Sequence, residues 1–224
     1  MSLPEYERLS RVSGNQSQLS STNLLVVEES EATGEVAALY NYFRTHFGRA
    51  DVPGILKCFA THPPMLRHIM ELSESLIFND GYLCRRHKEM IATSVSVQNR
   101  CGYCSDSHGY FLRVHGGSPE LLCALQQNDI DDSTLSTAEK TLLRFSMKVN
   151  VASHSVAPDD IEDMRQAGWE DMQICETVHI VAMFATFNRV ANAFGLSSQG
   201  LIGLMDQPNV SKNPEFTDIE TGTL

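Results

Sequence analysis

Residues 89–108 read EMIATSVSVQNRCGYCSDSH, with the spacing E-x11-C-x-x-C-x-x-x-H. Cys101 and Cys104 are separated by two residues, and in a helical backbone this spacing brings their Cα atoms within the span that a disulfide tolerates. His108 falls one helical turn after Cys104, so both side chains share a face. The stretch predicts a redox-active dithiol with proton-handling groups supplied by His108 and Glu89.

The segments on both sides of the cysteine pair have the pattern of helices. Residues 86–98 show neither strand alternation nor a helix breaker, so we expect a helix that carries Glu89. Asn99 is predicted to cap the N-terminus of a second helix over residues 101–114, which ends at Gly116-Gly117. The C-x-x-C pair would then lie at the start of a core helix.

Helical periodicity continues through the rest of the chain. Apolar residues recur at three- and four-residue intervals from residue 31 to Gly48. A Ser136–Glu139 capping box predicts a helix through Val149, and further helices are predicted for residues 55–60, 65–78, 158–167 and 171–194, with another opening at 118–120. In the last of the long helices the predicted buried face consists of Ile174, Val178, Val181 and Ala185. Nothing indicates a β-sheet, so we predict an all-α helical bundle.

Composition divides the chain into three parts. Residues 1–30 are rich in Ser, Asn, Gln and Glu, with one apolar run at 24–27, and are interpreted as an extension anchored by a strand-like segment. Residues 31–205 form the predicted helical domain. Residues 206–224 are polar and interrupted by proline, which indicates a loose tail or an arm onto a neighbouring subunit.

Charge and hydrophobicity argue against several function classes. The chain has 224 residues, 42% of them hydrophobic, which is enough for one core without disulfides or metal. With 17 basic and 28 acidic residues its net charge is −11, so neither nucleic acid nor an anionic membrane is an expected partner. No apolar run reaches the roughly 18 residues of a membrane span, and the first residues lack the pattern of a secretory signal. We therefore expect a cytoplasmic protein, in which a C-x-x-C is more typical of catalysis or metal binding than of a structural disulfide.

The dithiol indicates thiol-dependent reduction of a peroxide. A thiolate attacks the peroxide and becomes a sulfenic acid, which a second thiol converts to a disulfide. The attacking thiol must ionise near neutral pH, although free cysteine has a pKa of about 8.5. Cys101 lies nearest the helix N-terminus, which favours an anion, whereas Cys104 lies one turn from His108 as a direct base. The residues alone leave open which sulfur attacks.

The same residues allow other interpretations. The C-x-x-C-x-x-x-H run offers three zinc ligands and a carboxylate could be the fourth, but structural zinc sites usually have a second paired motif, which this chain lacks. No metal and no cofactor is therefore expected. Free cysteines also pack as small hydrophobic residues. The cysteines without paired spacing, interpreted as core or surface thiols, are Cys58, Cys84, Cys123 and Cys175.

Other polar residues receive structural interpretations. Polar residues at helical spacing ordinarily indicate a solvated helix face, and here they are Glu89, Thr93, Ser96 and Arg100. His115 fits a cation at a helix C-terminus. Asn188 and Arg189 interrupt the apolar face of the last long helix, and an Arg there is interpreted as an interhelical or intersubunit ion-pair partner.

The chain resembles the AhpD-like alkylhydroperoxidase and carboxymuconolactone decarboxylase superfamily. The resemblance rests on Glu89, Cys101, Cys104 and His108 at the family's spacing, and on residues 139–195, which look like the later helices of its peroxidase-related branch. Together it covers roughly residues 31–200. It implies an AhpD-like helical bundle and a homo-oligomer, whether dimer, trimer or hexamer.

That resemblance also implies roles for the four residues. Cys104 would be the peroxidatic cysteine and Cys101 the resolving one, while Glu89 and His108 would form the proton relay. The implied reductant is an external dithiol, either a lipoyl-bearing protein or a thioredoxin-like partner. Alkylhydroperoxidase members carry a histidine just before the second cysteine, where this chain has Tyr103, which donates a hydrogen bond but is no base at neutral pH.

The predicted function is therefore a thiol-dependent peroxidase acting on hydrogen peroxide or organic hydroperoxides. A general protein disulfide reductase, or a redox-sensing oligomer without turnover, is the alternative. A lactone decarboxylase is disfavoured, because the resemblance places the dithiol in the peroxidase-type branch.

Overall fold

The structure is a computed structural model that describes residues 22–205, and these residues form helices joined by short loops, without a β-strand. The helices are α1 (Gly34–Phe47), α2 (Gly54–Phe59), α3 (Pro63–Ser73), α4 (Arg85–Gln98), α5 (Gly102–Val114), α6 (Pro119–Gln126), α7 (Thr137–Ala152), α8 (Pro158–Gln166), α9 (Asp171–Phe194) and α10 (Leu201–Met205). A π-helical segment, Glu74–Phe78, continues α3, and a 3-10 turn, Ser153–Ser155, follows α7. The predicted all-α class is confirmed. Within this described part, no helix has both the length and the apolar character to cross a membrane.

Helix α4 lies at the centre of the bundle and packs against α5, α6, α7 and α9. All its residues from 88 to 96 are buried. The polar stripe of α4 is therefore not a solvated face: Glu89, Thr93 and Ser96 each have 0% exposure, and only Arg100, beyond the helix, is exposed. Because charged side chains are rarely buried without partners, Glu89 must be stabilised by specific neighbours.

The connection from α4 to α5 places the cysteines. Asn99 forms the C-cap of α4, and Arg100 adopts a left-handed φ of 54° that redirects the chain. The amide of Cys101 then donates to the carbonyl oxygen of Ser96 at 2.9 Å, and Cys101 becomes the N-cap of α5. The prediction that Asn99 caps α5 is therefore wrong, because the two helices are too close for a separate cap.

A buried ion pair holds α4 against α9. Nζ of Lys88, which has 0% exposure, lies 2.8 Å from Oε1 of Glu176. The same ammonium group donates to the carbonyl oxygens of Leu76 and Asn79, both at 2.9 Å. The second carboxylate oxygen of Glu176 accepts the amide of Leu83 at 2.6 Å. These partners satisfy both charges and tie the loop before α4 to α9.

Two sequence predictions about packing need correction. In α9, Val178 is 36% exposed and Ala185 only partly buried, so the predicted face is rotated from the true one. The residues of α9 that are buried include Ile174, Thr177, Ile180, Val181, Phe184, Phe187, Asn188 and Ala191. Residues 24–27 form no strand, although the amide of Val27 donates to the carbonyl oxygen of Lys57 at 3.3 Å and thereby anchors the segment.

Other predictions about helix ends hold. The capping box between Ser136 and Glu139 is present at the start of α7. Ser118 caps α6, with its hydroxyl accepting the amide of Leu121 at 3.1 Å. The remainder of the predicted extension and tail, residues 1–21 and 206–224, lies outside the described residues, so the three-part division of the chain stays a prediction.

Candidate functional site

Helix α5 presents both cysteines at its N-terminal turn. Cys101 is the N-cap and Cys104 the third helical residue, and both are free thiols with exposures of 1% and 5%. The two sulfurs are hydrogen-bonded to each other. The backbone amides of Cys104 and Tyr103, at the start of the helix, lower the pKa of the Cys101 thiol, as a helix N-terminus does for an anion.

The hydrogen bond between the sulfurs makes the two thiols unequal. The Cys104 thiol bonds to Cys101, and together with the backbone amides this outweighs burial and lowers the pKa of Cys101 to about 7. The pKa of Cys104 is raised, because its proton is held by Cys101, because it is buried, and because the neighbouring thiolate repels a second charge. The dithiol therefore ionises first at Cys101 and keeps its remaining proton on Cys104.

Glu89 and His108 form a buried pair next to the dithiol helix. Nδ1 of His108 lies 2.7 Å from Oε2 of Glu89, and Nε of Arg85 donates to Oε1 of Glu89 at 2.6 Å. Burial raises the pKa of Glu89, but the charges and hydrogen bonds of His108 and Arg85 outweigh it and hold the pKa below its ordinary value. Glu89 is thus an ionised carboxylate that fixes the orientation of the His108 ring.

The His108 ring does not bond directly to a cysteine. Within residues 22–205 its hydrogen bond goes to Glu89 and none goes to either sulfur. The ring packs edge-on against Phe184, with centroids 4.5 Å apart and planes at 89°. The direct contact with Cys104 that helical spacing predicts is therefore absent from the reduced form, and any proton passing between them needs a bound ligand or water to bridge it.

A cavity of about 260 Å³ brings Cys104 and His108 to one surface. Its wall is largely apolar, and its aromatic residues include Phe43, Phe47, Phe78, Phe111, Phe184 and Phe187. Polar residues of the wall include Arg49, Arg85, Ser107 and His115, the last of which sequence analysis assigned only to a helix end. Of the two cysteines of the dithiol, Cys104 lines this cavity and Cys101 does not. A ligand bound there meets the sulfur of Cys104.

Tyr103, the residue just before the second cysteine, has a packing role. Its hydroxyl accepts the backbone amide of Ile55 at 3.3 Å, which connects α5 to α2. Burial, the largest influence, raises the pKa of Tyr103 well above its ordinary value. The phenol therefore stays neutral and is no proton acceptor in this site.

In the described part of the chain, no group of three or more His, Cys, Asp or Glu side chains is arranged to hold a metal ion. The cysteine pair and His108 thus do not converge as a zinc site would require.

Asn188 is a site residue that sequence analysis did not find. It is 1% exposed, and its amide nitrogen donates to Oγ of Ser96 at 3.0 Å while its oxygen accepts Nδ2 of Asn99 at 2.9 Å. The side chain also hydrogen-bonds Cys101 and lowers its pKa. Since Asn99 occupies the amide oxygen, the nitrogen is the group left to face Ser96 and the sulfur. Its polar character within the apolar face of α9 was the available signal.

We expect Asn188→Leu to raise the pKa of Cys101, because the thiolate loses a buried hydrogen-bond donor. A hydrogen bond contributes about 1 kcal/mol and one pKa unit corresponds to about 1.4 kcal/mol, so the shift should be on the order of 0.5–1 unit. Titration of the ultraviolet absorbance of the thiolate against pH measures this shift in the pKa of Cys101. Asn192→Ala is the matched control, since Asn192 donates to the carbonyl oxygen of Asn99 at 3.2 Å and remains exposed. Identical titration curves for Asn188→Leu and the unchanged protein would contradict the assignment.

Comparison with known proteins identifies chains of similar sequence and fold. Residues 63–142, which contain all four predicted site residues, match the model of the carboxymuconolactone decarboxylase family. A peroxidase-related protein from Ralstonia eutropha JMP134, described as an alkylhydroperoxidase AhpD core, superposes with a TM-score of 0.71 at 26% identity, covering 80% of this chain and 92% of that one. A peroxidase-related protein from Silicibacter sp. TM1040 gives a TM-score of 0.69 at 27% identity, covering 81% and 93%.

Two further matches are limited either in the share of the chain that they cover or in sequence identity. The Bacillus subtilis (strain 168) protein YdfG is 26% identical over 112 residues, which is 50% of this chain and 75% of YdfG. The debrominase Bmp8 has a TM-score of 0.66 at 13% identity, covering 84% and 96%, and this likeness concerns the fold alone. The family match over residues 63–142, together with the two peroxidase-related structures, shows that the described chain has an AhpD-like fold and that its dithiol region is similar to the carboxymuconolactone decarboxylase family.

Proposed function

We propose that the protein is a thiol-dependent peroxidase that reduces organic hydroperoxides through Cys104 and Cys101. The observation that carries the proposal is that Cys104 and His108, whose ring Glu89 binds, border the same apolar cavity, with Cys101 as a hydrogen-bonded second thiol behind Cys104. A homo-oligomeric state and a cytoplasmic location, both expected from the sequence, belong to the same proposal.

The proposed reaction begins with a proton shift between the sulfurs. The Cys104 proton moves along the hydrogen bond to Cys101, which places the negative charge on the sulfur that borders the cavity. The Cys104 thiolate attacks the terminal oxygen of the hydroperoxide, the O–O bond breaks, and the alkoxide takes a proton from protonated His108, which Glu89 stabilises.

Disulfide formation completes the peroxide half of the cycle. The thiol of Cys101 attacks the sulfenic acid on Cys104, the S–O bond breaks, and the hydroxide leaves as water with the Cys101 proton. One hydroperoxide and two thiols thus give one alcohol, one water and one disulfide. An external dithiol then reduces the disulfide by thiol–disulfide exchange.

The cavity supports an organic hydroperoxide in preference to hydrogen peroxide. A volume of about 260 Å³ is well above the space of one small polar molecule, and an apolar cavity of roughly 150 Å³ already accommodates benzene. Each methylene group of the substrate buried against such a wall contributes about 0.8 kcal/mol to binding. Hydrogen peroxide would leave the aromatic wall without a partner.

The burial of the two cysteines supports a reductant whose dithiol lies on a flexible arm narrow enough to enter the cavity. Because Cys101 and Cys104 are 1% and 5% exposed, a thiol on the surface of a folded thioredoxin-like protein has little access to either sulfur. A dithiol on a flexible arm, as on a lipoyl-bearing protein, reaches Cys104 through the cavity. The same burial argues against a general protein disulfide reductase, whose substrates are folded or bulky.

Anaerobic titration of the reduced protein tests the proposal. We expect one equivalent of cumene hydroperoxide to remove two thiols per chain, and continued turnover when dihydrolipoamide is supplied. The kcat/KM for cumene hydroperoxide should exceed that for hydrogen peroxide by about 10-fold or more, which is the gain in binding expected from burying two methylene-sized groups. Loss of no thiols with either peroxide would overturn the proposal. Thiol loss without turnover would favour the redox-sensing alternative.

A further inference from the structure

A second group of reactive side chains lies at the N-terminus of α4, away from the dithiol. Cys84 is the exposed N-cap residue of this helix, and its Sγ lies 3.3 Å from Nδ1 of His87. On the other side of the ring, Nε2 of His87 lies 3.8 Å from Oε1 of Glu139. Within residues 22–205, none of these three side chains borders the cavity that contains Cys104.

Several contacts hold the His87 ring in place. It packs edge-on against Trp169, with centroids 5.0 Å apart and planes at 84°. The indole nitrogen of Trp169 donates to the carbonyl oxygen of Ala138 at 3.0 Å, so the indole itself is fixed. Glu139 is held by an ion pair with Arg86 and by the α7 capping box. A thiol, an adjacent imidazole and a third group that orients the imidazole form the arrangement that activates nucleophiles.

His87 is suited to accept a proton. Burial, followed by the nearby Arg86 charge, lowers the pKa of His87, so the ring is neutral near pH 7. With the Cys84 thiol donating to Nδ1, the proton can pass to the ring as the sulfur attacks an electrophile.

We propose that Cys84 is a second reactive thiol, which hydroperoxides oxidise and which then forms a mixed disulfide with a small thiol. The Cys84 sulfur attacks the terminal oxygen of the hydroperoxide, its proton passes to His87, and the O–O bond breaks to give a sulfenic acid. His87 returns the proton to the alkoxide, which leaves as alcohol. A small thiol of the glutathione type then attacks the sulfenic acid, and water leaves as the S–S bond forms.

The chain itself contains matched thiols for comparison. Cys123 and Cys175 are also exposed, but Cys123 accepts a hydrogen bond from Nε2 of Gln127 at 3.2 Å, and Cys175 has no histidine hydrogen bond in the described chain. Exposure alone would make the three cysteines react alike. The structure assigns the higher rate to Cys84 because it alone of these three has a neutral imidazole at its sulfur.

The test treats the reduced full-length protein with limiting cumene hydroperoxide and excess reduced glutathione, and peptide mass spectrometry quantifies the adduct on each cysteine. We expect the glutathione adduct on Cys84 to form about 100-fold or more faster than on Cys123 and Cys175, at the lower end of general-base effects. In His87→Phe, which keeps a ring against Trp169, the Cys84 rate should fall to that of Cys175. His87→Asn is the second variant, and the Cys175 rate within each sample reports any unfolding.

Three results would overturn the proposal. They are equal rates at the three exposed cysteines, an unchanged Cys84 rate in both His87 variants, and a sulfinic acid on Cys84 in place of the mixed disulfide. The inference is separate from the proposed peroxidase function. In Cys104→Ser, peroxide turnover should be lost while the Cys84 adduct still forms, so failure of one proposal is distinguishable from failure of the other.

Discussion

Cys104→Ser should abolish peroxide turnover, with kcat falling by about 1000-fold or more, as expected when a nucleophile is removed. Among the cysteines of the described chain Cys104 alone borders the cavity, so no other thiol there meets a bound hydroperoxide. Cys101→Ser should behave differently. It keeps the attacking thiol, and it removes the neighbouring sulfur that raises the pKa of Cys104, so that pKa should fall toward its ordinary value.

The two variants are separated by what accumulates on the protein. Cys101→Ser should consume one peroxide per chain and then stop with a sulfenic acid on Cys104, which a dimedone adduct identifies by mass. Cys104→Ser should give no such adduct on Cys101, since that sulfur lies behind Cys104. Cys175→Ser provides the control for a surface thiol. Finding the adduct on Cys101 instead would reverse the roles and make Cys101, which ionises first, the attacking sulfur.

Glu89→Ala should destabilise the protein by about 3–5 kcal/mol, the usual cost of removing one partner from a buried ion pair. The loss leaves Arg85 and His108 without the carboxylate that binds both of them. Glu89→Gln keeps the shape and loses the charge, so it should reduce kcat by about 100-fold or more through the relay with a smaller loss of stability. Chemical denaturation and steady-state kinetics measure the two effects.

Glu176→Gln is the matched control for Glu89→Gln. It removes the charge from the buried pair between Lys88 and α9, while leaving the Glu89–His108 pair intact. The amide oxygen that Glu176→Gln introduces can still accept a hydrogen bond from Lys88 and keep the rotation of α4, so the variant should lower stability and largely preserve kcat. If both variants lose activity in proportion to stability, Glu89 has a structural role only.

The Glu89 pair also predicts how stability depends on pH. The pKa of Glu89 in the folded chain lies below its ordinary value, so its contribution is fully present above the unfolded-state pKa of about 4.3. That contribution is lost as the pH falls through the lower, folded-state pKa. The stability difference between the unchanged protein and Glu89→Gln should therefore shrink on acidification below about pH 4.

Local sequence patterns predicted the positions of the helices well. They predicted a cap or a buried face wrongly where the same pattern fitted two alternatives equally. Asn99 is favoured both as an N-cap and at a helix end, and only the close succession of α4 and α5 decides that it ends α4. In α9 apolar residues occur around most of the helix, so a face through Val178 and Ala185 fitted the period as well as the true face through Phe184.

The sequence predicted those candidate site residues that lie close together in one stretch of the chain, and it did not predict the contribution of a distant helix. Glu89, Cys101, Cys104 and His108 lie within 20 consecutive residues, and the structure brings them to adjoining positions on α4 and α5. Asn188 comes from α9, more than 80 residues away, and its contact with Cys101 depends on packing that no local pattern encodes. The absence of a hydrogen bond between His108 and Cys104 likewise depends on how the hydrogen bond to Glu89 orients the His108 ring.

Lys88 and Glu89 are consecutive residues, and each is bound to a different neighbouring helix. Successive side chains on a helix point about 100° apart, so the pairs with Glu176 on α9 and His108 on α5 together fix the rotation of α4 about its own axis. A turn of α4 that favoured one pair would pull the other apart. Substitutions far from the cavity that change this rotation should therefore alter the geometry of the Glu89–His108 pair, even though the substituted residues contact neither Glu89 nor His108.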